Sequence, residues 1–191
     1  MKIIIINGHA TAGKNTVVEI ARNISGVTVN EISTVDEIVR AAMVLGYDGV
    51  KTDKARKFLS DMKYLATAYN DHSFNYVLKK VNERVRQIAK ESDSNLNVFF
   101  VHVREPIEIL KLKQYYGENC ITLLVDRHME NIPDNHADML VMDYNYDYII
   151  ENNGTKKSLR RGVLRFFDEI AKEAHKFQSF PVNIKNKLDV K

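Results

Sequence analysis

Two glycines, a lysine and the polar residues around them are the best candidates for chemistry in this chain. Gly8 and Gly13 have four residues between them, and Lys14, Asn15 and Thr16 follow. The spacing fits G-x-x-x-x-G-K, a loop that binds phosphate. Its glycines let the backbone curl so that successive N–H groups point inward. A helix starting near Lys14 aims its unpaired N–H groups and its positive dipole end at the same place. Lys14 adds a full charge directed at the β- and γ-phosphates of ATP. The expected nucleotide-binding residues are Gly8, His9, Ala10, Thr11, Ala12, Gly13, Lys14, Asn15 and Thr16, with His9 and Thr11 acting through their backbone. The position after the lysine usually carries a hydroxyl for Mg²⁺. Asn15 stands there instead, and its amide oxygen can reach Mg²⁺ directly or through water. The competing reading is a strand, turn and helix that merely contain Gly-Lys.

Phosphoryl transfer needs positioning and cations more than covalent help from the protein. With Lys14, the candidate catalytic residues are Arg104 and Arg127. Arg104 ends an apolar run and can fork onto an acceptor phosphate; a surface salt bridge is the plainer alternative. Arg127 follows the next apolar run, at the start of a polar stretch suited to a lid, and competes with a solvated loop residue. Arg56 and Lys63 lie on a helix suited to binding the acceptor, or they are ordinary helix surface. The buried run that ends at Arg104 offers His102 where an acidic metal ligand is common. Histidine is a poor Mg²⁺ ligand, so a structural role is expected of it. Asp36, Asp61 and Asp71 remain candidates for orienting a metal or an acceptor. Asp134, His136 and Asp138 alternate like metal ligands, but a zinc site would need a second cluster, and lid contacts are the expected role. Tyr144, Tyr146 and Tyr148 read as packing.

Elements must hold these residues in place. Ile3, Ile4, Ile5 and Ile6 form an apolar β-branched strand, followed by a helix over 14–24. Residues 27–32 alternate as a second strand. Thr34 with Glu37 three residues on forms a capping box for a helix ending at Gly46. Helices are expected over 53–69 and, capped by Ser73, to about 91. Buried strands are expected over 97–103 and 120–125, with Pro106 opening the helix between them. A short strand over 147–151, an Asn-Asn-Gly turn and a final helix from Thr155 complete the pattern. Strands alternating with helices imply an α/β fold with a mainly parallel sheet. Its ligands sit beyond the carboxyl ends of the strands. The expected domain is a single unit over 1–176, with a helical insert at 46–92, a lid at 126–138 and a tail at 177–191.

The 191 residues are 45% hydrophobic and 28% charged, with a net charge of +3. That mild excess suits anionic small molecules and does not call for nucleic acid. The basic helix over 73–91 alternates its charges and reads as a solvated face. Cys120 is the only cysteine, which excludes an intrachain disulfide. With no secretory signal at the N-terminus, the expected location is cytoplasmic. No run approaches a membrane span. The expected partner is a small-molecule phosphate acceptor, and the chain is expected to be a monomer or homodimer.

Several stretches together resemble a family. The Gly-Lys-Asn-Thr loop is similar to the Gly-Lys-Asp loop of phage-type deoxynucleoside monophosphate kinases, and it also resembles that of animal phosphomevalonate kinases. Val103-Arg104-Glu105-Pro106 resembles the family's strand ending in Asp-x-Arg. Asp126-Arg127 through His136-Ala137-Asp138 resembles its lid. Tyr146 through Thr155 with Leu159 resembles its closing strand, Asn-x-Gly turn and helix. The helix with Arg56, Leu59 and Lys63 is similar to its acceptor-binding helix. The resemblance implies a P-loop NTPase fold of three α/β/α layers with a helical acceptor flap and a short lid. It implies transfer of the γ-phosphoryl of ATP, with Mg²⁺, to a (deoxy)nucleoside monophosphate. Lys14 would then meet the donor phosphates, Arg104 the acceptor phosphate, and Arg127 would serve the lid. Asn15 and His102 stand where the family has carboxylates, so negative charge near the metal is reduced. A sensor with little catalysis, or a kinase of a non-nucleotide phosphorylated metabolite, is the alternative.

Overall fold

Four consecutive isoleucines leave a strand no polar face, so it must be covered on both sides. The computed structural model describes residues 1–91, 95–128 and 140–177, and it places this strand, β1 (Lys2–Asn7), at the centre of a sheet. The others are β2 (Val27–Ser33), β3 (Leu96–His102), β4 (Cys120–Asp126) and β5 (Tyr148–Glu151). Their order is β2-β3-β1-β4-β5, and every pairing is parallel. Ile3 and Ile5 face one way, against α4 (His72–Glu91) and α5 (Pro106–Tyr116). Ile4 and Ile6 face the other way, against α1 (Lys14–Arg22) and α6 (Lys156–Phe177). The period of two along the strand thus generates the three α/β/α layers.

The sheet order decides where a ligand can sit. From β1 the chain passes to β2 and returns to β3 on one side, then continues to β4 and β5 on the other. The crevice between the carboxyl ends of β1 and β3 is the switch point, where such sheets bind ligands. The loop after β1 and Arg104 after β3 flank it.

Between β2 and α4 lie α2 (Asp36–Val44) and α3 (Asp53–Asn70). Thr52 caps α3, its hydroxyl accepting the Ala55 N–H at 3.1 Å. Two expected caps take other forms. Thr34 and Glu37 do not form a capping box: the Asp36 carboxylate accepts the Ser33 N–H at 2.9 Å, and the Thr34 hydroxyl turns to the His102 carbonyl. Pairing of β2 with β3 through Ser33 and His102 holds Thr34 against the strand end. Ser73 does not cap α4, which begins one residue earlier; Ser73 is buried and its hydroxyl meets that of Thr67 at 3.0 Å. Asp71, left-handed at φ 56°, turns the chain so sharply that the start of α4 lies on the end of α3. The first helix ends at Arg22, two residues earlier than its apolar spacing suggests, because the Asn23 and Ile24 N–H groups bond back three residues to Ile20 and Ala21.

The expected lid beyond His128, with Asp134, His136 and Asp138, and the tail beyond Phe177 lie outside the described residues. No helix among the described residues is long and apolar enough to cross a membrane. Phe100 is fully buried in the layer under α1 and α6 and packs near Phe167. Its replacement by alanine is expected to cost about 3–5 kcal/mol of stability in urea denaturation.

Candidate phosphate-binding site

At the two ends of the loop, Gly8 and Gly13, close contacts leave no room for a side chain. Gly8 has φ 143°, and a Cβ there would collide with the Val125 carbonyl of β4. Gly13 has φ 103° and starts α1; a Cβ there would collide with the Asn152 amide. Glycine alone takes these conformations at no steric cost. Within the loop, the Ala12 N–H bonds the His9 carbonyl at 3.2 Å, and Thr11 is left-handed at φ 64°.

Lys14 folds back over the loop. Its ammonium donates to the Gly8 carbonyl, and to the His9 carbonyl at 2.8 Å. The charge is therefore held over the concave side of the curl, beside the N-terminus of α1. An anion arriving there meets this ammonium and the helix dipole together. Asn15 is exposed and Thr16 half-buried in the first turn of α1. Among the described residues no group of three His, Cys, Asp or Glu could hold a metal ion. The residues present fit the phosphates of a nucleotide, with Asn15 as the one amide oxygen at the usual metal position. That donor set suits a Mg²⁺ held mainly by the phosphates themselves.

Asn7, fully buried at the end of β1, fixes the floor. Its Oδ1 accepts the Gly8 N–H at 2.8 Å; its Nδ2 donates to the Tyr146 hydroxyl at 2.7 Å and to the Arg104 carbonyl at 3.2 Å. Tyr146 passes the chain of bonds on to the Val141 carbonyl at 2.7 Å. Burial pushes the Tyr146 phenol up to about 12, so it stays a neutral donor. Tyr144 and Tyr148 pack edge-on against Tyr146 and Phe166.

The structure brings Arg104 and Arg127 to this loop by different routes. Arg104, half-buried, is tied through its carbonyl to Asn7. Arg127, exposed after β4, reaches the Thr11 carbonyl at 3.4 Å. Arg56 is exposed and bonds the Lys51 carbonyl at the start of its own helix. Lys63 is buried and donates to Glu105 and, at 2.8 Å, to Glu108. Asp36 holds the Ser33 N–H, Asp61 pairs with Lys57 and Asp71 with Lys111. His102 lies 2.9 Å from Glu31, which also pairs with Arg22. Burial lowers the His102 pKa against the opposing pull of Glu31, which favours the neutral ring.

One residue that matters here was read from the sequence only as part of a turn. Asn152 follows β5; its N–H bonds the Asp126 carbonyl at 2.6 Å and its Nδ2 bonds the Ala12 carbonyl at 2.7 Å. Asn153 accepts the His128 N–H at 2.6 Å. The Asn-Asn-Gly turn is thus a brace between the phosphate loop and the segment bearing Arg127. The signal in the sequence was two adjacent amides where one suffices for a turn.

No protein-family model matches the chain, and no curated protein matches it in sequence. Among solved structures it is similar to dephospho-CoA kinase from Campylobacter jejuni, at 17% identity and TM-score 0.47, covering 90% of this chain and 98% of that one. It is also similar to a gluconokinase from Sinorhizobium meliloti 1021, at 14% identity and TM-score 0.49, covering 94% and 97%. Shikimate kinase from Aquifex aeolicus is similar at 15% identity and TM-score 0.46, covering 90% and 99%. The fold assignment itself rests on the strand order and loop geometry of this chain.

Asn152→Ala removes the brace on Ala12 and is expected to cost about 1 kcal/mol in urea denaturation, with faster amide exchange across Ala12 and Gly13. A second expectation concerns pH. Burial, reinforced by Glu105, pushes the Glu108 carboxyl up to about 7 despite Lys63. The folded chain then binds more protons than the unfolded one between the ordinary carboxylate value and that point, so this contribution to stability falls as pH rises through the interval. Glu108→Gln is expected to match the wild type near pH 4 and to exceed it in stability near about pH 8. An equal difference at both values in urea titrations would show that Glu108 ionises normally.

Proposed function

We propose that this protein is an ATP-dependent phosphotransferase that moves the γ-phosphoryl group to a small phosphorylated acceptor, a (deoxy)nucleoside monophosphate first among them. The observation that carries the reading is Lys14, held over a glycine-shaped curl at the sheet's switch point, with Arg104 tied to the same floor by Asn7. In this reading the loop N–H groups and the α1 terminus receive the donor phosphates. Lys14 exchanges its two carbonyl partners for the β- and γ-phosphates. Arg104 receives the acceptor phosphate, and Arg127, already against Thr11, lies over the donor. Mg²⁺, held mainly by the nucleotide phosphates with Asn15 nearby, would supply neutralisation of their charge. Exclusion of water by the segment after Asp126 limits wasteful hydrolysis. The domain would span 1–176, with the insert at 46–92 delivering the acceptor.

A second reading, a nucleotide-binding sensor with little catalysis, is favoured by one feature. His102, not a carboxylate, ends β3, and Glu31 occupies it. A kinase of a non-nucleotide phosphorylated metabolite is the remaining variant of the first reading.

The test is ADP release from ATP and Mg²⁺ with each common ribo- and deoxyribonucleoside monophosphate, and with phosphomevalonate. Acceptor-dependent ADP is expected, reduced at least about a hundredfold in Lys14→Ala, as removal of a charge acting on the transferring group implies. Full transfer in Lys14→Ala would refute the mechanism. ATP binding without turnover across the panel would favour the sensor.

A further inference from the structure

Helix α3 is attached to the body in an unusual way. Lys63 is its only buried residue. Leu59 and Met62 are half-buried, whereas Tyr64, Leu65 and Tyr69 are 73%, 65% and 88% exposed. A helix of 18 residues normally docks through an apolar stripe; this one docks through a charge. Lys63, 7% exposed, crosses to Glu105 and Glu108, the latter 4% exposed. Glu105 follows Arg104 directly and precedes α5, and Glu108 lies in the first turn of α5.

We propose that Lys63, Glu105 and Glu108 form an ionic latch that fixes α3 over the Arg104 corner, with Lys63 acting as a positioning residue and not as a ligand of the acceptor. The physics of buried ions makes the latch sharp. A buried ammonium must keep an anionic partner, and loss of Lys63 or Glu105 leaves the other charged and poorly compensated. Leu59 and Met62 add only half-buried apolar contact, so the charged cluster is the most deeply buried attachment of α3. Lys111 with Asp71, at 2.7 Å, ties the far end of α3 to α5, but this pair is more than a third exposed and weaker for it. The latch therefore couples placement of the insert to placement of Arg104. Only its consequence for transfer rests on the kinase reading.

The test compares amide hydrogen exchange in the full-length, nucleotide-free wild type, Lys63→Met, Lys63→Arg and Glu105→Gln. The last keeps size and hydrogen bonding, and it serves if Lys63→Met does not fold. Expected is exchange at least about tenfold faster in α3 and at residues 104–108 for Lys63→Met and Glu105→Gln, with β1 and α1 unchanged. Lys63→Arg should restore most of the protection. Unchanged exchange in α3, or equal acceleration in β1 and α1, would overturn the latch. A second arm measures transfer from ATP to AMP, CMP, GMP and UMP. Glu105→Gln should raise the acceptor KM about tenfold with kcat and the ATP KM little changed. An unchanged acceptor KM would overturn the positioning role. A wild type that phosphorylates none of the four, nor any other acceptor, would defeat the kinase reading, while the exchange result still decides the latch.

Discussion

One fully buried amide holds the site together. Asn7 ends β1, in the middle of the sheet; one of its three side-chain bonds is to its neighbour Gly8, and the other two are to groups that the chain supplies from elsewhere. It sets the start of the loop through Gly8, the end of β3 through Arg104, and the approach to β5 through Tyr146. A buried polar group must be satisfied or it destabilises the fold. The converse holds with equal force: satisfying Asn7 requires these three segments to be where they are. The loop's curl, the arginine beside it and the tyrosine beneath it are consequences of one constraint. The opposite rim is closed by Asn152, whose amide reaches Ala12 from β5. The loop is thus clamped between two asparagines that are 145 positions apart in the chain.

The two halves of the candidate site are held by different physics. The loop that takes the donor phosphates in the proposed reading stands on β1 and α1, whose apolar residues are almost wholly removed from water. Helix α3, which the proposed reading gives to the acceptor, is held by Lys63 and two carboxylates. Apolar packing tolerates small displacement at gradual cost, whereas a buried ion pair depends steeply on geometry and partner. In the proposed reading, that contrast suits a reaction in which one substrate is bound by a preformed curl and the other must be enclosed. The pKa pattern agrees. Burial would raise both carboxyls, but Lys63 holds Glu105 below its ordinary value while Glu108 rises to about 7. Glu105 is the anion that Lys63 answers, and Glu108 accepts a hydrogen bond without needing the full charge.

Much of the fold was legible in the residues. Ile3 through Ile6, the run into His102 and the run from Cys120 are apolar on both faces, and only a covered parallel strand satisfies that. Gly8, Gly13 and Lys14 carried the loop, because a left-handed backbone and a charge are local properties. The caps were less legible. Thr34 and Ser73 are good cap residues by type, but the pairing of β2 with β3 and the turn at Asp71 gave their hydroxyls other partners. A cap is a competition among nearby acceptors and donors, and the sequence does not show who is nearby.

Lys63 is the sharper case. As a basic residue on a polar helix it read either as an acceptor ligand or as ordinary helix surface, since a helix position and a charge are all that the sequence displays. That two glutamates from another element stand within hydrogen-bond reach is a fact of three dimensions. The same holds for Asn152, whose type announced a turn and whose contact with Ala12 needed β5 to lie beside β4, which in turn borders β1. The sequence by itself determined the strand pattern, the layer each side chain enters and the phosphate loop, because these follow from neighbours in the chain. The tertiary structure alone decided which charges are spent on one another and which amides brace the loop, because those partners meet only when the sheet is assembled.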